Sequence, residues 1–511
     1  MIGDLKIRIL RSDLYYKMMF LFLLFIFGGC EALNITGNWI IDRDQGFINL
    51  LNITHNSDNT ISFPYNNYVN NYVTGSFNQN NNNAFVVYYN KDHQPYWSQT
   101  IWFNAKGTYG YVKEDDISYF RSNVLADELT DYNWTVMNLA RLLNRNPFGT
   151  CDNDKCLIFP SHANLYGNVQ FMRDSYYSYM GGWGLLLNQT KNKKGIEFLL
   201  QPRWDGALPQ FRGISQISYG NGSCDDSRHY CQFADSPAFA TFLIELVASN
   251  ESDYSFYHEL EQTLVNGLNA VPSNEYGFVE NTNFTENTVL GYGFHDSVQK
   301  NGSLFYSTVL HWSAFSIIHK NTQNITLKNI VQSRIDLIKS NINLFWNEKE
   351  GGYVATWPEN TWESDKIDIW GNALIASQEL IERDKIQSIY GLFHSRQDDI
   401  FFNGYVRPLL HPQKWNSLYI PDIEGSPSNL FPNHQNGSYW GSQLFDVIKM
   451  LALFDRSFAC SILKKAVKVS RILGSPEWIS PYFPYYTYRN PEYLATMGNI
   501  VRSFDHLPEC A

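Results

Sequence analysis

The chain has 511 residues and a net charge of −11, and it contains no run of basic residues. This charge argues against a protein that binds nucleic acid through a basic surface. Aromatic residues make up 16% of the chain. Because Tyr and Trp combine a flat apolar face with a polar edge, this composition suits sugar binding as well as a large core.

The first 32 residues have the pattern of a secretory signal peptide. Basic residues such as Lys6 and Arg8 precede a short apolar stretch, residues 18–27, and Ala32 supplies a small residue at the cleavage position. The apolar stretch is short for a membrane span, and an uncleaved anchor is the alternative. We therefore expect a mature chain with no stable membrane span, in the secretory pathway and either secreted or lysosomal.

Six cysteines follow the leader, and an even number favours disulfide bonds in an exported chain. The spacing favours the pairs Cys151–Cys156, Cys224–Cys231 and, by elimination, Cys460–Cys510. The sequence alone permits other connectivities. The spacings are not those of a zinc ribbon, so we expect no metal and no cofactor.

Ten Asn-X-Ser/Thr acceptor sequences are present. In an exported chain they make N-linked glycans the expectation. They begin at Asn34, Asn52, Asn133, Asn188, Asn221, Asn250, Asn283, Asn301, Asn324 and Asn436.

Residues 33–121 predict a small β-rich domain. Short alternating runs such as residues 84–89 and 99–103 are typical of strands, and polar turns separate them. The Asn-rich tract at residues 78–83 predicts an exposed loop.

Residues 122–511 predict a domain of helices of two kinds. Amphipathic helices are expected near residues 129–144, 195–200, 257–268, 327–342, 385–393 and 462–473. Helices that are apolar or small on nearly every face, and so should be buried all round, are expected near 176–187, 237–248, 304–318, 369–381, 440–454 and 493–501. Their alternation predicts a mainly α fold with an (α/α)6 toroid of six inner and six outer helices. An irregular all-α domain is the alternative.

A cluster of polar and aromatic residues precedes each apolar helix. In a toroid, these six segments gather on one face around the central funnel. For a single segment, a helix N-cap is the simpler interpretation. Six in register favour a site, and they lie at residues 171–177, 232–237, 291–297, 366–372, 433–440 and 476–479.

The order of residues in these clusters resembles that of the six-hairpin glycosidases. The nearest relatives are the clan of processing α-glucosidase I, trehalase and glycogen-debranching-like enzymes, and the resemblance covers residues 124–507. It implies a general acid before the third inner helix, at Asp296, and a general base before the sixth, at Glu477. Asp296 is followed by Ser-Val-Gln, where the family has a second carboxylate or Asn and then aromatic-Pro-Arg.

Hydrolysis of a glycosidic bond requires one carboxyl group that protonates the leaving oxygen and one carboxylate that activates water. The predicted function is therefore an inverting glycoside hydrolase, acting on a carbohydrate that is α-glucoside-like. The other cluster residues are expected to bind the sugar: Arg173, Asp174, Tyr177, Asp235, Tyr292, His295, Asp368, Trp370, Asn372, Gln435, Trp440 and Trp478.

Two other functions remain open at this stage. A polysaccharide lyase on a similar toroid would need a His or Tyr base, for which His295 and Tyr292 are candidates. A catalytically silent carbohydrate-binding protein is the second alternative, because the segment after Asp296 departs from the family pattern.

Overall fold

The structure of the chain is a computed structural model. It describes residues 37–42, 48–64, 72–78, 83–89, 94–103, 109–112, 117–122, 130–144, 169–170, 172–186, 189–199, 217–218, 234–281, 300–415, 437–473, 475–480 and 493–511. The predicted signal peptide and four of the six remaining cysteines lie outside these residues.

The chain divides into two compact units, Met1–Asp127 and Glu128–Ala511. Among the described residues, no helix is both long and apolar enough to cross a membrane. The domain limits expected from the sequence, 33–121 and 122–511, remain a prediction.

The described part of the first unit is an antiparallel sheet of eight strands in chain order, and its last strand pairs with its first. Alternation explains the strands: Ala84 and Val86 are fully buried, whereas the side chain of Phe85 between them is half-exposed. The strands are β1 Gly37–Asp42, β2 Ile48–His55, β3 Thr60–Pro64, β4 Tyr72–Asn78, β5 Asn83–Tyr89, β6 Pro95–Phe103, β7 Tyr109–Val112 and β8 Ile117–Ser122.

The second unit is mainly α, as predicted. Its described helices are α1 Asp131–Asn144, α2 Met172–Met180, α3 Gln189–Leu199, α4 Ser236–Glu251, α5 Ser255–Ala270, α6 Phe305–Asn321, α7 Ile325–Asn341, α8 Ile369–Ser377, α9 Arg383–Ser395, α10 Gln397–Ile400, α11 Leu444–Ala452, α12 Arg456–Leu473 and α13 Leu494–His506.

Short strands join these helices. They are β9 Val169–Gln170, β10 Ile217–Ser218, β11 Glu280–Asn281, β12 Gly302–Leu304, β13 Trp346–Asn347, β14 Gly352–Tyr353, β15 Thr356–Trp357, β16 Phe401–Phe402, β17 Tyr405–Val406, β18 Tyr439–Trp440 and β19 Trp478–Ile479.

Six of the helices form a closed ring of contacts. In cyclic order, α2 contacts α4, α4 contacts α6, and the series continues through α8, α11 and α13 back to α2. We call these the inner helices. They are the helices expected to be apolar on every face, and all nine residues of α8 are buried.

The remaining longer helices are amphipathic and pack outside this ring. In α7, for example, Leu327, Val331 and Ile338 are buried, whereas most other positions face solvent. Each of α5, α7, α9 and α12 contacts the inner helix next to it in the chain, and α1 contacts α13. The 3.6-residue period therefore separated the two kinds of helix correctly.

The first and last inner helices approach so closely that glycine is required between them. A β-carbon on Gly498 of α13 would collide with the carbonyl oxygen of Tyr177 in α2. Gly181, just after α2, meets the carbonyl of Gly498 in the same way. These glycines allow the ring to close.

Four helix starts differ from the sequence-based expectation by four residues or more. Helices α3 and α12 begin at Gln189 and Arg456, each six residues earlier than expected. Helix α2 begins at Met172 rather than near residue 176, and it ends before the pair Gly181-Gly182. Helix α11 begins at Leu444 rather than at residue 440, because Tyr439 and Trp440 pair in a sheet with β19.

One predicted disulfide is confirmed. Cys460 of α12 is bonded to Cys510, fifty residues further along the chain. The bond ties the C-terminal segment after α13 to the preceding outer helix.

Candidate active site

Several of the predicted site residues that the structure describes lie at or just before the first turn of an inner helix. Arg173 and Asp174 are in the first turn of α2. Asp235 directly precedes α4, and Asp368 is the N-cap of α8. Glu477 lies between α12 and α13, next to β19. The first turn of a helix has free backbone N–H groups that favour such acceptors.

Side chains from two inner helices form hydrogen bonds with one glutamine, which directly precedes a third. The hydroxyl of Tyr177 donates to Oε1 of Gln443 at 3.0 Å, and that of Tyr306 donates to the same oxygen at 3.4 Å. All three side chains are almost fully buried. The bonds join α2, α6 and the residue that precedes α11, so these helix ends are close together.

A second contact joins the first inner helix to the sixth. The hydroxyl of Tyr493, the N-cap residue of α13, donates to Oδ1 of Asp174. The other carboxylate oxygen of Asp174 lies 3.5 Å from Nε of Arg173. Asp174 and Arg173 therefore form a buried ion pair, and their predicted contacts with sugar hydroxyls remain a prediction.

The backbone around Glu477 is held from two sides. The hydroxyl of Thr496 in α13 donates to the carbonyl oxygen of Pro476 at 3.0 Å, and the N–H of Gly441 donates to the carbonyl of Glu477 at 3.4 Å. Gly441 has to be glycine because a β-carbon there would lie 2.6 Å from the Thr496 hydroxyl. The Glu477 side chain is buried, with 6% of the residue exposed.

Three tryptophans from the predicted clusters pack together beside this loop. Trp440 pairs with Trp478 across β18 and β19. The ring of Trp370 in α8 meets that of Trp440 edge to face, with 5.9 Å between centroids. All three are buried, and Trp478 directly follows Glu477 in the chain.

Side chains of the cluster before α8 form hydrogen bonds with backbone groups of the same segment and of β14. One carboxylate oxygen of Asp368 accepts from the N–H of Gly371 at 2.8 Å, which is an N-cap. The amide nitrogen of Asn372 donates to the carbonyls of Tyr353 and Asp368, and its oxygen accepts from the Tyr353 N–H. Asn372 therefore fastens β14 to α8, a structural role that the sequence did not reveal.

A buried cation that the sequence analysis did not single out lies among the described acids. Lys300 precedes β12 and is 2% exposed. Burial lowers the pKa of its ammonium group to about 8, and the carboxylates of Asp368, Glu363 and Asp235 oppose that shift. The one feature of the sequence that points to Lys300 is its position four residues after Asp296. The three residues that follow it, Asn301, Gly302 and Ser303, form a glycosylation acceptor sequence.

The segment before α4 is anchored by a histidine of α6. Nε2 of His311 bonds to the carbonyl oxygen of Ala234 at 2.7 Å, next to Asp235. Burial lowers the pKa of His311 to about 4. The imidazole is therefore neutral near pH 7, and its Nε2–H is the donor.

Four predicted site residues, Tyr292, His295, Asp296 and Gln435, lie outside the described residues. Within the described ranges, no group of three or more His, Cys, Asp or Glu side chains is arranged to hold a metal ion.

No protein-family model and no curated protein sequence matches the chain. Solved structures do. One described as a wild-type glycosidase has 10% identity and a TM-score of 0.52, and the alignment covers 76% of this chain and 99% of that one. The chain therefore has a glycosidase-like fold.

Two further structures score slightly lower. A GH63 mannosylglycerate hydrolase from Thermus thermophilus, in complex with glucose, has 11% identity, a TM-score of 0.49 and coverage of 73% and 99%. A sugar epimerase from a ruminal bacterium has 12% identity, a TM-score of 0.47 and coverage of 73% and 98%.

Proposed function

We propose that this protein is a glycoside hydrolase built on an (α/α)6 toroid, with a separate N-terminal β-domain. The closed ring of inner helices, with amphipathic helices outside it, supports the toroid. The observation that carries the function is the placement of buried acids on different inner helices: Asp174 lies in the first turn of α2, Asp235 directly precedes α4, and Asp368 caps α8. Buried Glu477 follows Pro476, whose carbonyl accepts a hydrogen bond from the first turn of α13. Loops at the ends of helices, positioned by a rigid scaffold, often carry catalytic residues.

In this proposal, Asp296 is the general acid and Glu477 the general base. Asp296 protonates the oxygen that leaves as the bond from the anomeric carbon breaks. Glu477 takes a proton from the water that attacks that carbon from the opposite face, so the anomer inverts. This requires carboxyl groups about 6.5–9.5 Å apart, with water between them. The fixed backbone of Glu477 and the surrounding tryptophans are consistent with a positioned base.

The predicted sugar contacts remain part of this proposal. The acidic and aromatic residues of the inner-helix ends would hold an uncharged sugar through its hydroxyl groups, and an α-glucoside-like substrate follows from the sequence resemblance. Export through the secretory pathway and N-linked glycans are also proposals, and they rest on the leader and the acceptor sequences.

The roles are tested with Asp296→Asn, Glu477→Gln and, as the control, Asp235→Asn. A panel of neutral oligosaccharides first identifies a substrate, and the same glycosyl unit is then supplied as a glycosyl fluoride. Asp296→Asn should lower kcat by about 10²–10⁴ on the oligosaccharide and far less on the fluoride, which needs little acid assistance. Glu477→Gln should be impaired on both, because water still needs a base.

Three results would contradict the proposal. An effect that depends on the leaving group in Asp235→Asn but not in Asp296→Asn would identify a different acid. Ultraviolet-absorbing products from uronate polymers would indicate a lyase instead. Sugar binding with no turnover would indicate a binding protein.

A further inference from the structure

Four ionisable side chains are buried together near the N-terminal ends of three consecutive inner helices. Lys300 is 2% exposed, Asp235 is 1%, and Asp368 and Glu363 are fully buried. Lys300 lies five residues before α6, Asp235 precedes α4, and Asp368 caps α8. Burying isolated charges is very costly, so such groups are expected to compensate one another.

The backbone of Lys300 is held at its carbonyl group and by the strand that follows it. Its carbonyl oxygen accepts a 2.6 Å bond from the amide of Asn281, at the end of β11. The next strand, β12, pairs with β11 through Ser303 and Glu280 and also with β15. The side chain of Lys300 consequently leaves the backbone at a defined point and is buried.

The ammonium group has an aromatic neighbour and acidic surroundings. Nζ lies 4.4 Å from the centroid of the Trp415 ring, a cation–π contact. The charges of Asp368, Glu363 and Asp235 all act on it and raise its pKa, against the larger lowering by burial. The surroundings therefore favour the protonated amine near neutral pH, with the negative charge of the carboxylates around it.

The carboxylates depend on the lysine in return. Burial raises the pKa of Asp368, while the charge of Lys300 and the backbone N–H groups of Gly371 and Trp370 lower it. The bond from Gly371 to one carboxylate oxygen is 2.8 Å long. The charge of Lys300 is the largest of the influences that favour ionisation of this buried carboxyl group.

We propose that Lys300 is a positioning residue of the candidate active site, whose ammonium group is the counter-ion that keeps Asp235 and Asp368 ionised at the ends of α4 and α8. The ion cluster is a property of the fold, whereas its meaning for catalysis rests on the proposed hydrolase function. The cluster contains three carboxyl groups and one amine, so acidic groups outnumber the cation. It thus suits an uncharged sugar better than a uronate.

The first test measures Lys300 directly, without a substrate. The full-length protein is labelled with carbon-13 at Cε of lysine, and the Lys300 signal is identified by its loss in Lys300→Arg. It should titrate with a pKa of about 8 in the wild-type protein. Asp368→Asn and Asp235→Asn should each lower that pKa further, because each removes a negative charge from the buried amine.

The control is Asp365→Asn, which removes an exposed carboxylate three residues from Asp368. It should leave the Lys300 titration unchanged. A wild-type Lys300 that titrates like a free lysine, or one that responds equally to Asp365→Asn and Asp368→Asn, would overturn the proposal.

The second test observes the carboxyl groups by infrared difference spectroscopy. Lys300→Met should gain the carbonyl stretch of a protonated carboxyl group at neutral pH, and adding Asp368→Asn should remove it. Lys300→Arg keeps the charge and should not show it. Absence of the band in a folded Lys300→Met protein contradicts the proposal, and if that variant does not fold, the lysine titration decides.

Activity then connects the cluster to catalysis. On a glycoside that the wild-type protein hydrolyses, Lys300→Met should shift the acid limb of kcat/KM to higher pH, because the carboxylates lose their cation and protonate more readily. Lys300→Arg should restore the wild-type limb. Failure to find any hydrolysed glycoside would count against the proposed function alone, since the two spectroscopic tests do not depend on turnover.

Discussion

The helical unit should lose stability between pH 6.5 and pH 4 because of the buried imidazole of His311. This side chain is 3% exposed, and its Nε2 bonds to the Ala234 carbonyl at 2.7 Å. Burial lowers its pKa from 6.5 to about 4. In this range, the unfolded chain binds a proton that the folded protein does not bind, so the free energy of unfolding falls as the pH falls.

The size of the loss follows from the two pKa values. A change from 6.5 to about 4, at roughly 1.4 kcal/mol for each pKa unit, amounts to about 3 kcal/mol. Above pH 6.5 His311 contributes nothing to the pH dependence, because the imidazole is neutral in both states. Below pH 4 the contribution is complete.

The assay compares urea unfolding, followed by circular dichroism, at pH 7 and pH 4. His311→Gln keeps an N–H donor near the position of Nε2 but cannot take up a proton. The wild-type protein should lose about 3 kcal/mol more than this variant between the two pH values. Val309→Ala, at a fully buried position two residues earlier, is the control for general destabilisation and should follow the wild-type pH dependence. Parallel pH curves for wild type and His311→Gln would refute the assignment.

Three further sets of variants test the packing, each by urea unfolding. Gly498→Ala should lower the free energy of unfolding by about 1–3 kcal/mol, because the new methyl group collides with the backbone of α2. Gly391→Ala on α9, with open space around it, should instead raise the free energy of unfolding by about 0.5–1 kcal/mol. Equal effects of the two substitutions would contradict the close approach. Replacing both Cys460 and Cys510 by serine should cost about 4 kcal/mol, from the fifty-residue loop that the bond closes; no change would show that the bond does not form. Thr496→Val should cost about 1–3 kcal/mol by leaving a buried carbonyl without a donor, and Thr496→Ser should not; similar losses in both would assign the effect to packing.

The inner helices were predictable because a helix that is buried on every face has apolar or small residues at nearly every position. Helices α4, α6 and α8 lie close to the expected ranges, since few of their positions are charged. The outer helices were found from their 3.6-residue period. The pair Cys460–Cys510 followed from the spacing of the other cysteines.

The site was less predictable because its contacts join residues far apart in the chain. Gln443 accepts hydrogen bonds from the hydroxyl groups of Tyr177 and Tyr306, which are 266 and 137 residues away in the chain. The acidic residues around Lys300 come from segments that are distant in the chain, and no local sequence pattern identifies it as a site residue. The hydrogen bonds of Asn372 to the backbone of Tyr353 could not be predicted, because an amide beside tryptophan has the same sequence appearance whether it binds a sugar or a strand; its predicted sugar contact stays a prediction.

The central claim is that this fold hydrolyses glycosidic bonds with inversion. Proton NMR of the reaction, recorded from the first turnovers on a glycoside selected by the hydrolysis screen, tests it most directly. We expect the first-formed sugar to have the opposite anomeric configuration to the substrate, with mutarotation following later. A first-formed product with retained configuration would contradict the roles assigned to Asp296 and Glu477.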